Sequence, residues 1–173
     1  MHAIAFLRGI NLGGHNVKKD QLVAIFESAG AQAVTTFIAS GNVVFDAATS
    51  PDESAAEDAF LATMGYAAPT FIRTTKELRR VIERRPFDGR GPETGGTLHV
   101  GFLKHKAKPS ALASLETDND ELHVDGTTVY WHTHTARMSD STINPAKMEK
   151  ALGQLATFRS IKTIGNILDK WPD

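Results

Sequence analysis

The sequence predicts an α+β protein of two subdomains, each with ferredoxin-like character: antiparallel sheets with helices packed on them, covered on one side. Three observations carry this. The first 88 residues alternate short β-rich runs with helical periods in the order β-α-β-β-α-β, the split βαβ arrangement. A glycine-rich stretch then interrupts the chain, and after it β-α-β-β-α recurs. The boundaries follow: residues 1–88 as the first subdomain, 89–96 as a linker, and 97–173 as the second, with a C-terminal helix.

Each element has a local reason. Residues 3–7 are a continuous apolar run that stops at glycines, as a buried strand does. From Lys18 to Ala29, Leu22, Ile25, Phe26 and Ala29 fall at helical spacing, and Gly30 stops the helix. Residues 34–38 and 43–45 are β-rich and flank a polar turn at 39–42. Pro51 opens a second helix in which Ala56, Phe60 and Met64 share a face before Gly65. Residues 70–73 form the next strand. Thr74 and Glu77 have the spacing of a capping box for a helix carrying Leu78, Val81 and Ile82, which Pro86 ends. Residues 97–103 start the second half with a strand, and a helix is expected near 109–115. Asp125-Gly126 suits a type I′ turn joining strands at 122–124 and 127–134. Helices are expected at about 145–155 and 160–168, with no final strand and no repeat visible residue by residue.

Composition narrows the function classes. The chain has 173 residues, 41% apolar and 23% charged, an ordinary globular balance. Lys and Arg (19) nearly cancel Asp and Glu (20), and neither half carries a basic excess, so no duplex DNA preference is expected. There is no cysteine, which excludes disulfides, thiolate metal sites and cysteine nucleophiles. The N-terminal apolar run ends at Arg8, too short for a secretory h-region, and no run approaches the roughly 18 residues of a membrane span. A cytoplasmic protein with no membrane partner is expected.

The most informative stretch is Arg8-Gly9-Ile10-Asn11-Leu12-Gly13-Gly14-His15-Asn16, between a strand and a helix. Its glycines can turn several backbone N–H groups toward one spot, and the helix start, Arg8 and Lys18 add positive charge. It is neither a Walker A loop nor G-x-G-x-x-G. The competing structural role is a tight turn that needs glycine for its φ angles. In a ferredoxin-like half the first strand runs antiparallel beside the third, so Ser40 and Asn42 come to the same sheet end as Asn11 and Gly13. A polar turn explains them equally well.

Together, Arg8-Gly9-Ile10-Asn11-Leu12-Gly13-Gly14 and Ser40-Gly41-Asn42-Val43-Val44-Phe45 resemble the bacterial domain-of-unknown-function family 1697, with its R-G-I-N-V-G-G and S-G-N-V-x-F patterns. Arg73-Thr74 with Glu77-Leu78, Pro86-Phe87, Val100-Gly101-Phe102-Leu103 and Thr157-Phe158-Arg159 follow the same layout. The family's tail reads T-x-R-N-W-N-T-V, whereas here Ser160, Ile161 and Lys162 follow Arg159. The resemblance implies two α+β subdomains of ferredoxin-like character and no established activity.

Other groups point elsewhere. His123, Tyr130, His132 and His134 share one hairpin face by period-two alternation. A His-x-His pair can bind zinc, but no carboxylate pairs with it in the sequence. A solvated sheet face and no metal are therefore expected, with chelators changing neither melting temperature nor secondary structure. Lys76, Arg80 and Arg84, joined by Arg79 and Arg85, are read as a charged outer helix face. Residues 104–108 are read as a solvated loop, and Trp131 and Trp171 as packing aromatics. Ser40 with His15 lacks the context of a nucleophile and its base.

The leading functional expectation is binding of a small anionic or phosphorylated ligand, a nucleotide or nucleic acid end among them, with no cofactor. Arg8, Asn11, Ser40, Asn42 and Arg159 are expected to converge on one pocket, with Gly13 and Gly14 as backbone donors. The alternatives are a phosphoryl-transfer or hydrolytic enzyme using the same pocket, which needs a base or metal within reach, and a protein-interaction module, which needs an exposed apolar patch.

Overall fold

A computed structural model describes residues 1–38, 41–87, 95–135 and 137–172. By internal contacts the chain forms two compact units, Met1–Arg79 with Ile167–Asp173, and Arg80–Asn166. Residues 89–94 of the expected linker lie outside the described residues.

The first unit contains β1 (His2–Leu7), α1 (Lys19–Ser28), β2 (Thr35–Thr36), β3 (Asn42–Asp46), α2 (Glu53–Met64), β4 (Thr70–Thr74) and the start of α3 (Thr75–Arg84). Its sheet has the order β2-β3-β1-β4, with every neighbouring pair antiparallel. Ala3, Ala5, Leu7, Val43 and Phe45 form one core with Leu22, Ile25 and Phe26 of α1 and Ala56 and Phe60 of α2. The opposite face is not open to water, contrary to the expectation of one covered side: Ile4, Phe6, Val44 and Phe71 are all 0% exposed. A strand without polar residues on either face reads as a continuous apolar run for this reason.

The element ends have local causes. Asp52 accepts from Ala55 N at 2.7 Å and caps α2, which Gly65 closes at φ +78°. Thr74 Oγ1 accepts from Glu77 N while Thr74 N donates to Glu77 Oε2 at 2.7 Å, so the expected capping box is formed. β2 is shorter than expected because Ala33 and Ile38 take positive φ on either side of it.

The second unit contains β5 (Thr97–Leu103), β6 (Asp120–Asp125), β7 (Thr128–Thr133), α4 (Pro145–Leu152), β8 (Ala156–Ser160) and most of α5 (Ile161–Lys170). Its antiparallel sheet has the order β6-β7-β5-β8. Two sequence expectations are corrected. The helix near 109–115 is only a 3-10 turn at Ala113–Leu115. The fourth strand, expected to be missing, is β8: Gly153 ends α4 at φ +67°, and the β-rich segment behind it pairs with β5. Each unit therefore holds a complete four-stranded antiparallel sheet of the same order.

The pairing registers also reveal a repeat that the bare sequence hides. Ile4 lies between Val44 and Arg73, as Val100 lies between Tyr130 and Arg159. Leu7 N donates to Gly41 O and Leu103 N to Thr127 O, both at 2.9 Å. This register aligns Ile4-Ala5-Phe6-Leu7 with Val100-Gly101-Phe102-Leu103. It also equates Arg73 with Arg159, and the helix-capping Thr74 with Ser160, whose Oγ accepts from Thr163 N at 3.1 Å.

Within the repeat, side-chain volumes compensate. Ala5 faces Ile72, whereas Gly101 faces Phe158, and a Cβ on Gly101 would lie 2.6 Å from the Phe158 ring. Gly101→Ala is expected to cost about 1–3 kcal/mol by overpacking. Combining it with Phe158→Ile, which copies the first unit's pair, should recover most of that loss. Urea unfolding of the four proteins of this cycle measures the coupling; strictly additive effects would contradict the volume argument.

Candidate functional site

In the first unit, β1 delivers the chain into the glycine-rich loop beside the start of β3. Phe6 pairs with Asn42, and Leu7 N donates to Gly41 O. The start of the loop and Gly41 thus share one sheet end, as strand order requires. Ser40 lies outside the described residues, and with it the serine of the Ser40–His15 arrangement.

Three side chains hold this sheet end in shape. Asn11 Oδ1 accepts from Val17 N at 3.0 Å, pinning the loop to the entry of α1. Asn42 is fully buried and its Nδ2 donates to Phe37 O at 2.9 Å, closing the β2–β3 turn. Tyr66 donates its hydroxyl to Ile10 O at 2.8 Å, and the His15 ring stacks on Tyr66 with centroids 3.8 Å apart. Tyr66 was not legible as a loop residue, because 56 positions separate it from its acceptor. These bonds of the two asparagines go to the backbone, Asn11 shaping the loop and Asn42 the β2–β3 turn.

The tip is built differently. Gly13 and Gly14 have φ of +64° and +84°, and a Cβ on either would meet nothing within 4 Å. Both are exposed, and among the described residues their N–H groups have no acceptor. Positive φ explains glycine at these positions. Half-buried Arg8 opens the loop, its N–H donating to Pro69 O at 2.9 Å, and exposed Lys18 and Lys19 lead into α1.

Arg159 sits in the second unit on β8. Its Nη1 donates to Thr157 Oγ1 at 2.8 Å and to Phe158 O at 2.9 Å. Thr157 and Arg159 are two residues apart on one strand and so share a face, which accounts for the Thr-x-Arg spacing. Burial pushes the guanidinium down to about 10. Arg73, its counterpart in the first unit, is also lowered by burial, with Glu53 at 3.4 Å opposing the shift.

The histidine face departs most from expectation. Tyr130 and His132 are 3% and 0% exposed, so that part of the face is not solvated, whereas His134 is exposed. Nor does His-x-His lack a carboxylate: Glu121 is the cross-strand partner of His132. Its Oε2 lies 3.2 Å from both His132 Nδ1 and His134 Nε2. Only the parity was legible, since Glu121 shares the face of His123. An Asp125-Gly126 turn would have set Glu121 opposite Tyr130. The observed pairing of Asp125 with Thr128, which makes Gly126-Thr127 the turn, sets it opposite His132. Residues 104–108 are an exposed to half-buried loop, in which Gln154 bonds both N and O of His105. On α3, Arg84 pairs with Asp125 at 2.8 Å, both half-exposed. Trp131 is fully buried, as a packing aromatic should be. No helix among the described residues is long and apolar enough to cross a membrane.

Comparison with known proteins adds fold and family. The conserved bacterial protein SP0830 from Streptococcus pneumoniae superposes with a TM-score of 0.66 over 96% of each chain, at 17% identity. That likeness shows a shared fold. No curated protein is significantly similar to the chain. The model of the family described as "Protein of unknown function (DUF1697)" matches residues 1–130, which include the glycine-rich loop, β3 and the β6–β7 turn but not Thr157-Phe158-Arg159. With three quarters of its length matched, the chain belongs to that family.

Proposed function

We propose that the chain binds a small phosphorylated ligand at the loop between β1 and α1. The observation that supports this is the pair of exposed, positive-φ glycines, Gly13 and Gly14, whose N–H groups have no acceptor among the described residues. Backbone donors fixed in advance cost little to organise around an anion, and the N-terminus of α1 adds partial positive charge. Arg8, Lys18 and Lys19 add full charges. Asn11 and Tyr66 act one step back, holding the loop in shape, and Asn42 holds the neighbouring β2–β3 turn.

Titration of the 15N-labelled chain with inorganic pyrophosphate, and then with nucleotides, tests this. The amide resonances of Gly13 and Gly14 should move most, and Arg8→Ala should weaken binding about tenfold or more, as loss of a charge-assisted contact does. Arg80→Ala, on α3, should leave it unchanged. Gly13 and Gly14 resonances that stay still at millimolar pyrophosphate and nucleotide would overturn the proposal.

A further inference from the structure

We propose that Glu121, His132 and His134 form a binding site for a zinc-class divalent ion on the β6–β7 hairpin, independent of the loop between β1 and α1. One ligand atom from each residue lies within 4.8 Å of the other two. Glu121 Oε2 is 3.2 Å from His132 Nδ1 and 3.2 Å from His134 Nε2. Those separations are long for a charge-assisted hydrogen bond, at about 2.7–2.9 Å. These two separations lie near the edge of a zinc tetrahedron, whose ligands at about 2.0–2.1 Å from the metal stand about 3.3 Å apart. The separation between the two histidines is within 4.8 Å.

The proton inventory of His132 points the same way. Its side chain is 1% exposed, and both ring nitrogens face oxygen: Nδ1 faces Glu121 Oε2, and Nε2 faces Gly95 O at 3.1 Å. A neutral imidazole has one N–H, so it can satisfy only one of two acceptors. If Nε2 carries the proton and donates to Gly95, Nδ1 presents a lone pair to a carboxylate, which is repulsive. A cation between Nδ1 and Glu121 removes that repulsion. The resulting pattern, a ligating histidine whose other N–H is held by a backbone carbonyl, is the usual outer support of a protein metal site.

The ligand types select the ion. Two imidazoles and one carboxylate suit Zn2+, and also Co2+, Ni2+ or Cu2+, better than Mg2+ or Ca2+. Glu121 and His134 side chains are 28% and 40% exposed, so water reaches the site from that side. Three protein ligands leave a tetrahedral ion one position for that water, the composition of an open site rather than a closed structural one.

Calorimetric titration of the tag-free, chelator-treated full chain with ZnCl2 tests the proposal. One ion should bind per chain, and zinc should raise the melting temperature of the parent protein. Cobalt should give the intense visible absorption of a tetrahedral centre. His134→Ala removes a half-exposed ligand with little risk to folding. It and Glu121→Gln should each weaken zinc by more than about a hundredfold, since losing even an outer partner costs about 10–100-fold. His105→Ala, on an exposed histidine elsewhere, should change nothing. Absence of saturable binding, or binding that survives both ligand substitutions, would overturn the proposal. In the first case a direct hydrogen bond between His132 and Glu121 accounts for the geometry instead.

Discussion

Asp120→Ala is expected to destabilise the protein by about 3–4 kcal/mol. Asp120 is 1% exposed and accepts from Trp131 Nε1 at 2.9 Å, Ser141 Oγ at 2.8 Å and Thr117 Oγ1 at 2.9 Å. Removing the carboxylate strands the fully buried indole N–H and releases two hydroxyls, each stranded buried donor costing ~1–3 kcal/mol. Ser141 Oγ also accepts from Ile143 N, so the segment leading into α4 loosens with it. Asp120→Asn keeps an acceptor for Trp131 and should cost about 1–2 kcal/mol.

The same residue predicts a pH dependence. Burial pushes the Asp120 carboxyl up, but its hydrogen bonds from Trp131, Ser141, Thr117 and Thr133 together outweigh that and hold it below its ordinary 3.8. A carboxyl with a depressed folded-state value binds fewer protons folded than unfolded. Its stabilisation is therefore complete above the unfolded value and is lost as pH falls through the folded one. Urea midpoints compared at neutral pH and below pH ~4 should drop in the parent and drop less in Asp120→Asn. A cost for Asp120→Ala under about 1 kcal/mol would show that the network is incidental.

Gly96→Ala should cost more than about 3 kcal/mol, because two penalties add. Gly96 has φ +79°, and a Cβ there would overlap the Thr133 carbonyl oxygen and crowd His134 Cα. Thr133 cannot easily retreat, for it pairs with Thr97 on one side and Asp120 on the other. Gly95→Ala is the matched control: its φ is +98°, yet nothing lies within 4 Å of a Cβ. It should show only the conformational penalty, about 1 kcal/mol. Thermal unfolding that places the two variants within ~0.5 kcal/mol of each other would assign the effect to backbone strain alone.

Sequence by itself determined the element order of the first unit, the Thr74–Glu77 capping box, the presence of a hairpin at Asp125-Gly126 and the loop that opens after β1. The type I′ turn at Asp125-Gly126 is corrected, because Asp125 pairs with Thr128 and only Gly126 of the turn takes positive φ. Periodicity, caps and turn chemistry act over a few residues, so they are written where they act. β8 escaped because residues 156–160 are short and carry Arg159, and only pairing with β5 makes them a strand. The residues 109–115 looked helical by their proline and leucines, yet almost no helix forms there. The repeat between the units became visible only through pairing register, since conservative exchanges such as Ile4 to Val100 mask it. For the candidate sites the limit was polar accounting. Composition shows which atoms could donate or accept, but Val17 N claims Asn11, Phe37 O claims Asn42, and Glu121 meets two histidines only across a hairpin. Whether a polar atom is spent on its own backbone or left for a ligand depends on which groups folding brings within about 3 Å of it, and that is a property of tertiary structure.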